Sequence, residues 1–113
     1  MTIFNQGDVV YVDFDPTLGH EPQKRRPALV ISDGYFNNVL SSLTVVCPIT
    51  SKDNGHPLHI KIKDTNLGVT GCICLEQIRA IDLIMRNVDK TDIQIDSETM
   101  TRVLDGLGAI FGI

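Results

Sequence analysis

The stretch GDVVYVDFDPTLGHEPQKRRPALVIS, residues 7–32, decides the fold of this chain. It contains two apolar segments, VVYVDF (9–14) and ALVIS (28–32), with a polar loop between them at residues 15–26. The first segment alternates as a strand does, and the second is apolar enough to be a strand covered on both faces. A connection of about 12 residues is longer than most, and loops of that length are commonly functional.

Three segments further along the chain also have strand patterns. LTVVCPIT (43–50) is an apolar run that predicts a buried strand. LHIKIK (58–63) alternates, with its leucine and isoleucines predicted inward and its histidine and lysines outward. GCICLEQIRAID (71–82) begins as a strand and changes from apolar to polar, which predicts one end in the core and the other in a groove. Residues 35–41 predict an irregular stretch or a short helical turn.

The end of the chain predicts a helix over residues 97–111. Apolar side chains recur there at helical spacing, at Met100, Val103, Leu104, Leu107 and Phe111. Asp96 or Ser97 precedes them as a candidate N-cap. These segments together predict a mainly β fold of five or six strands with a C-terminal helix. We expect a small, strongly bent sheet or half-open barrel, as a single domain over residues 1–113.

Composition excludes several classes of protein. The chain has 113 residues, a formal charge of -4 and 42% hydrophobic residues, which suit one globular domain. No apolar run approaches the ~18 residues needed to span a bilayer. The start, MTIFNQGDVV, lacks the basic and apolar parts of a signal peptide. We therefore expect a cytoplasmic protein with no membrane partner.

The three cysteines are interpreted as buried core residues. Cys47 lies in an apolar run, and Cys72 and Cys74 form a CxC pair that points to one face of a strand. A structural zinc site needs about four ligands, and His56 and His59 would have to join the cysteines to supply them. We expect no metal site and no cofactor.

The loop GHEPQKRRP holds the densest group of polar side chains. Arg26 comes immediately before an apolar strand, so its backbone is expected to be held firmly, and its guanidinium suits a bidentate contact to phosphate. Lys24 and Arg25 add positive charge, and Glu21 and His20 offer acid–base capacity. A local basic site in an acidic protein (pI about 5.1) favours a specific anionic partner. The alternative is a solvated charged loop.

Two weaker signals lie at strand ends. Thr50 and Ser51 provide hydroxyl groups that either donate to an oxyanion or form a turn. Arg79 either binds phosphate or pairs with Glu76 or Asp82. The chain has no GxxxxGK[ST], GxSxG or HExxH motif and no cluster of carboxylates, so an enzyme acting on phosphate would work without a metal.

Taken together, three motifs resemble the MazF/PemK family of toxin–antitoxin ribonucleases. They are residues 7–32 quoted above, CPITS (47–51) and CLEQIRAID (74–82), and the resemblance extends over nearly the whole chain. It implies an SH3-like half-open barrel with a C-terminal helix, and a homodimer. It also implies metal-independent, sequence-specific cleavage of single-stranded RNA, often mRNA, leaving 2′,3′-cyclic phosphate and 5′-hydroxyl ends. A cognate antitoxin is the implied inhibitor.

The resemblance assigns roles to individual residues. The catalytic set falls on Arg26, Thr50, Glu21 and His20, and Gln77 and Arg79 are implied to line the RNA groove. The charges of Lys24 and Arg25 and the hydroxyl of Ser51 add these three residues to the predicted RNA-binding set. The chain departs from many family members at Pro22, which follows Glu21 where they have glutamine. Because proline restricts the residue before it, we expect Glu21 to be extended.

The expected mechanism is attack of an RNA 2′-hydroxyl on the adjacent phosphorus. Arg26 and Thr50 suit stabilisation of the phosphoryl oxygens, and Glu21 or His20 suits proton transfer, because arginine is a poor base at neutral pH. The arginine as base is the alternative. Tyr35 and Phe36 are candidates for base stacking, or else core or interface residues.

Charge also predicts the kind of partner. A basic groove in an acidic protein suits an acidic, partly disordered antitoxin segment that folds on binding. Two other functions are considered: a toxin of the same fold that binds DNA gyrase without catalysis, and a non-catalytic SH3-like interaction module. The arginine and threonine motifs disfavour the first, and scarce aromatic residues disfavour the second.

Overall fold

A computed structural model describes residues 2–14, 25–64 and 66–113 of the chain. The described residues form seven strands and one α-helix: β1 (Asp8–Asp13), β2 (Arg25–Val30), β3 (Thr44–Thr50), β4 (His59–Lys61), β5 (Cys72–Cys74), β6 (Arg79–Ile81), β7 (Asp89–Gln94) and α1 (Ser97–Ile110). The strands form an antiparallel sheet in the order β4-β5-β3-β2-β1-β7, and β6 also pairs with β3. The mainly β fold with a C-terminal helix is confirmed, with an open rather than a closed sheet.

β1, the first strand of the quoted stretch, is buried on both sides. Val9 and Leu29 pair across β1 and β2 and belong to the apolar cluster beneath α1. Val10 and Val12 point the other way, into a second cluster with Phe4. The predicted alternation is therefore correct, and both of its faces are covered.

β2 begins earlier than its apolar segment predicted. The structure starts this strand at Arg25 rather than at residue 28, because Arg25 pairs with Asp13 and Arg26 pairs with Val12. The two arginines therefore belong to a strand instead of the predicted loop. Residues 15–24, the remainder of that loop, lie outside the described residues.

Residues 71–82 do not form one continuous strand. β3 pairs with β5 through Ile49 and with β6 through Val46, and a 3₁₀ turn at Leu75–Gln77 separates these two partners. Pro48 lies in β3 between the two pairings and has no backbone N–H to donate to a ladder. The change of partner at this point brings the polar end of the segment out of the core.

The C-terminal helix covers one face of the sheet. Its N-cap is Asp96, whose carboxylate accepts a hydrogen bond from the amide of Thr99 at 3.0 Å. Met100, Val103 and Leu107 are buried against the sheet. Leu104 and Phe111 have the same helical spacing in the sequence, but their side chains are 40% and 64% exposed. The face of the helix that is buried against the sheet is therefore narrower than the face that carries apolar residues.

Two other elements differ from the predictions. β7 was not predicted, because Asp89–Gln94 is almost wholly polar and becomes a strand only by pairing with β1. A π-helical segment occupies Phe36–Leu40, where the sequence predicted an irregular stretch or a helical turn. No helix of the described residues is long and apolar enough to cross a membrane.

The cysteines are core residues, as predicted. Cys47, Cys72 and Cys74 are free and buried. Burial, with a smaller contribution from the neighbouring Cys74, raises the pKa of the Cys47 thiol to about 12. These thiols therefore pack as small apolar side chains.

Candidate active site

Arg26 and Thr50 lie side by side on one face of the sheet. Ala28 of β2 pairs with Pro48 of β3, and Arg26 and Thr50 each lie two residues beyond this last paired position. Both line an open cavity of about 430 Å³. The other residues lining it are Pro27, Ile49, Ser51, Lys52 and Thr70.

The Thr50 hydroxyl is held at the end of β3. Its Oγ1 accepts a hydrogen bond from the amide of Lys52 at 3.3 Å, which leaves the hydroxyl hydrogen to donate to a ligand. The backbone of Thr50 is fixed by pairing with Cys72. Gly71 packs so closely that a Cβ there would lie 2.0 Å from the Thr50 carbonyl oxygen. The threonine is therefore positioned by its backbone as well as by its hydroxyl.

A second cavity, of about 330 Å³, adjoins the first at Arg26. Its other lining residues are Phe14, Pro48, Gln77, Ile78 and Arg79. Because Arg26 lines both cavities, they form one groove with this arginine at its middle. We call this surface the Arg26 groove. It brings together Arg26, Thr50, Ser51, Gln77 and Arg79, which sequence analysis had placed at one site.

Phe14 and Arg79 form a flat surface in this groove. The Arg79 guanidinium carbon lies 4.5 Å from the centroid of the Phe14 ring, a cation–π contact. The backbone carbonyl of Phe14 accepts hydrogen bonds from Arg79 Nη2 at 3.1 Å and from Arg86 Nη1 at 2.7 Å. Sequence analysis had not assigned Phe14 to the site, although its place at the loop end of β1 was a usable signal.

The groove carries positive charge in an otherwise acidic protein. Arg26, Lys52 and Arg79 line it, whereas the net charge of the chain is -4. Among the described residues, no carboxylate forms an ion pair with the Arg26 guanidinium. A phosphate is therefore the kind of ligand that the groove attracts.

Arg25 does not line either cavity of this groove. Its Nη2 lies 2.6 Å from Oδ2 of Asp89 and donates to the carbonyl of Asn87 at 2.7 Å. Neighbouring residues of a strand point to opposite faces, so Arg25 binds β7 while Arg26 faces the groove.

Three predicted residues, His20, Glu21 and Lys24, lie outside the described residues. Tyr35 is 60% exposed on the surface around the π-helical segment and does not line either cavity of the Arg26 groove. Of the two carboxylates considered as partners of Arg79, Glu76 is bonded to His59, and Asp82 accepts hydrogen bonds from the amides of Ile84 and Met85.

Comparison with known proteins identifies the family. Residues 5–111 match the model of the PemK-like, MazF-like toxin of type II toxin–antitoxin systems. The chain belongs to this family. It is 38% identical over 101 residues to the endoribonuclease toxin ChpB of Escherichia coli K12, covering 82% of each chain. It is 35% identical over 109 residues to the endoribonuclease EndoA of Bacillus subtilis, covering 93% of this chain and 91% of EndoA.

Solved structures share this fold over the full length. MazF of Deinococcus radiodurans superposes with a TM-score of 0.86 and 29% identity, covering 100% of both chains. The same organism's MazE–MazF complex gives a TM-score of 0.84 and 26% identity, covering 100% of this chain and 99% of that one. ChpB is an endoribonuclease toxin and EndoA is an endoribonuclease, so the gyrase-binding alternative has no support.

Proposed function

We propose that this chain, an endoribonuclease of the toxin family, cleaves single-stranded RNA by attack of a ribose 2′-hydroxyl on the adjacent phosphorus. The observation that carries the proposal is that Arg26 and Thr50 line the same cavity in a cationic groove. The cellular substrate we propose is mRNA in the cytoplasm, cut at a short sequence. We propose that the cleavage needs no metal.

The reaction forms a bond between the 2′-oxygen and phosphorus and breaks the bond between phosphorus and the 5′-oxygen. The 2′-hydroxyl proton passes to a base, and the leaving 5′-oxygen receives a proton. The products are a 2′,3′-cyclic phosphate and a 5′-hydroxyl. Because the nucleophile is the 2′-hydroxyl, DNA is not cut.

Arg26 and Thr50 stabilise the negative charge that develops on the phosphoryl oxygens. The guanidinium donates in a fork, and the Thr50 hydroxyl adds a second donor from the neighbouring strand. Both come from paired strands, so the donors are preorganised and need little movement during the reaction.

Proton transfer is proposed for Glu21 and His20, five and six residues before Arg26 in the chain. Arginine retains its proton at neutral pH, so it serves better as an electrostatic donor than as the base. RNA bases are held by the Phe14–Arg79 surface through stacking and by Gln77 through hydrogen bonds. Ser51 and Lys24 are proposed to contact the RNA backbone.

Two protein partners are proposed. A cognate antitoxin places an acidic, partly disordered segment in the Arg26 groove, where positive charge attracts it. A second copy of the chain completes a homodimer. Exposed apolar side chains, among them Leu40, Met85 and Phe111, support contact with other proteins.

The test is cleavage of a long single-stranded RNA by antitoxin-free protein in EDTA, with mapping of the new ends. We expect site-specific cuts with cyclic-phosphate ends. Arg26→Ala and Thr50→Val should each lower the rate about 10²–10³-fold, the usual effect of removing one transition-state donor. A substrate with a single 2′-deoxy sugar at the cut site should resist cleavage there.

Arg25→Ala is the matched control. It removes an arginine from the neighbouring position of the same strand, but from the opposite face of the sheet. The lost ion pair with the exposed Asp89 should cost about 0.2–1 kcal/mol of stability and leave cleavage intact. Equal losses in the two arginine variants, or cleavage at the deoxy site, would contradict the proposal.

A further inference from the structure

A cluster of two histidines and one carboxylate includes Glu76, the neighbour of Gln77 in the 3₁₀ turn. His59 belongs to β4, Glu76 to the turn, and His56 to the loop that precedes β4. One ligand atom from each of the three lies within 4.8 Å of the other two. Sequence analysis had considered His56 and His59 only as additions to a cysteine site.

The His59–Glu76 contact already has the spacing of metal ligands. His59 Nε2 lies 3.0 Å from Glu76 Oε2. In a tetrahedral site with bonds of about 2.0–2.1 Å, neighbouring ligand atoms lie about 3.3 Å apart. A cation can therefore replace the proton that these two atoms share, with little movement of either side chain.

His56 is placed to supply the third ligand. Its ring stacks on that of His59 with centroids 4.6 Å apart, and the loop around it, residues 51–57, is exposed. Rotation of this side chain closes the remaining gap, at the expense of the hydrogen bond that His56 Nδ1 accepts from the Leu58 amide at 3.1 Å.

The burial and charge of the cluster favour a cation. The His59 side chain is only 10% exposed, and its Nδ1 is buried without a hydrogen-bond partner among the described residues. One carboxylate oxygen and two imidazole nitrogens therefore face one another in a partly buried place, a set of donor atoms that suits a cation.

We propose that His56, His59 and Glu76 bind one divalent transition-metal cation of the zinc class, joining β4 to the 3₁₀ turn. Two imidazoles and one carboxylate suit Zn²⁺, Co²⁺ or Ni²⁺ rather than Mg²⁺ or Ca²⁺, which prefer oxygen ligands. The cation takes no part in RNA cleavage. The bound cation connects β4 to the 3₁₀ turn, and this turn carries Gln77 into the Arg26 groove.

The surroundings of the ligands set the strength of binding. A metal-bound histidine normally donates its other ring N–H to a carboxylate or carbonyl, and losing that contact costs about 10–100-fold in affinity. His59 Nδ1 has no such partner among the described residues, and His56 has to give up its bond from Leu58. We therefore expect reversible, micromolar binding rather than a permanent structural site.

The experiment titrates Zn²⁺ and, separately, Co²⁺ into tag-free, RNA-free protein. Calorimetry should give one Zn²⁺ per chain, and Co²⁺ should give visible d–d absorption without a thiolate charge-transfer band. His56→Asn and Glu76→Gln should each weaken binding at least about tenfold. His20→Asn is the matched control, because it removes the remaining histidine of the chain and should leave affinity unchanged.

Three results would overturn the proposal: absence of saturable binding, equal affinity in wild type and both cluster variants, or a thiolate band showing that cysteines hold the metal. Zn²⁺ should also raise the melting temperature of the wild type but not of Glu76→Gln, because a ligand that binds only the folded state stabilises it. All these measurements are made without RNA, so their failure leaves the proposed ribonuclease activity untouched.

Discussion

Replacing Gly71 with alanine tests whether the backbone of the sheet positions Thr50. Gly71 has φ +117°, a region that is nearly exclusive to glycine. A Cβ at this position would lie 2.0 Å from the carbonyl oxygen of Thr50 and 2.9 Å from its carbonyl carbon. Gly71 itself is anchored, because its own carbonyl accepts the amide of Ile62 at 2.9 Å. The clash therefore has to be relieved largely by movement of Thr50.

The structure sets the magnitude of this effect. Side-chain Cβ atoms essentially never approach other atoms closer than 3.0 Å, so the Thr50 carbonyl has to shift by about 1 Å. A misplacement of about 1 Å at a reacting centre can cost about 10²-fold in rate. The unfavourable φ adds about 1–3 kcal/mol of strain, which a domain with about 5–15 kcal/mol of stability survives. We expect Gly71→Ala to fold and to cleave RNA about 10²-fold more slowly.

The assay is single-turnover cleavage of an RNA carrying one cut site, with folded protein quantified by circular dichroism and chemical unfolding. Gly55→Ala is the matched control. Gly55 also has a positive φ, +73°, but a Cβ there meets nothing within 4 Å. It should lose about 1 kcal/mol of stability from backbone strain alone and keep its cleavage rate.

Full activity of Gly71→Ala per folded molecule would refute this reasoning, because the Thr50 carbonyl would then be free to move without consequence for the site. Equal loss of activity in both glycine variants would also refute it, because backbone strain rather than the clash would be responsible.

Three further predictions concern stability and reactivity. Asp96→Ala should lower the free energy of unfolding by about 1 kcal/mol through loss of the N-cap. Hydrogen bonds from Thr99 hold the pKa of the Asp96 carboxyl below its usual range. The stabilisation is therefore present above the pKa that Asp96 has in the unfolded chain, and it is lost as the pH falls through the lower pKa of the folded protein. Urea unfolding at neutral and at acid pH should show the stability difference between wild type and variant shrinking in acid. The thiol of Cys47, with its pKa raised to about 12, should resist Ellman's reagent in the native protein and react in urea. Gly106→Ala should destabilise α1, because the new Cβ would lie 2.5 Å from Cδ1 of the buried Leu75. A Cβ at Gly108 meets no side chain, so Gly108→Ala should stabilise the helix by up to about 1 kcal/mol. Thermal unfolding measures both effects.

Short-range patterns were sufficient for much of the fold. The alternation over residues 9–14 correctly predicted a strand and the division of its side chains between two faces, because side-chain direction along a strand depends only on parity. A helix over residues 97–111, with Asp96 or Ser97 as its N-cap, was also predicted from local features, and the structure has it over Ser97–Ile110 with Asp96 as the cap. The order of motifs likewise led to the family that the comparisons identify.

Other elements exist only because distant segments pair. Asp89–Gln94 is too polar to predict as a strand, and it becomes one by hydrogen bonding to β1, some 80 residues earlier in the chain. The break at Leu75–Gln77 arises because β3 changes partner at Pro48, which the residues of the turn do not reveal. Phe14 was predicted as the last residue of the first strand segment, but the sequence did not show that Arg79 stacks on its ring.

The sequence alone determined which residue types were available for phosphate chemistry, namely the arginines before residue 27 and the hydroxyls after the third apolar run. Only the tertiary structure decided which of them meet. It turned Arg25 to Asp89 and Arg26 to the groove, and it brought Thr50 beside Arg26. The physical reason is that this site is formed by residues of different strands. Which residues meet depends on the register between strands and on the face of the sheet, and burial across the whole fold sets both.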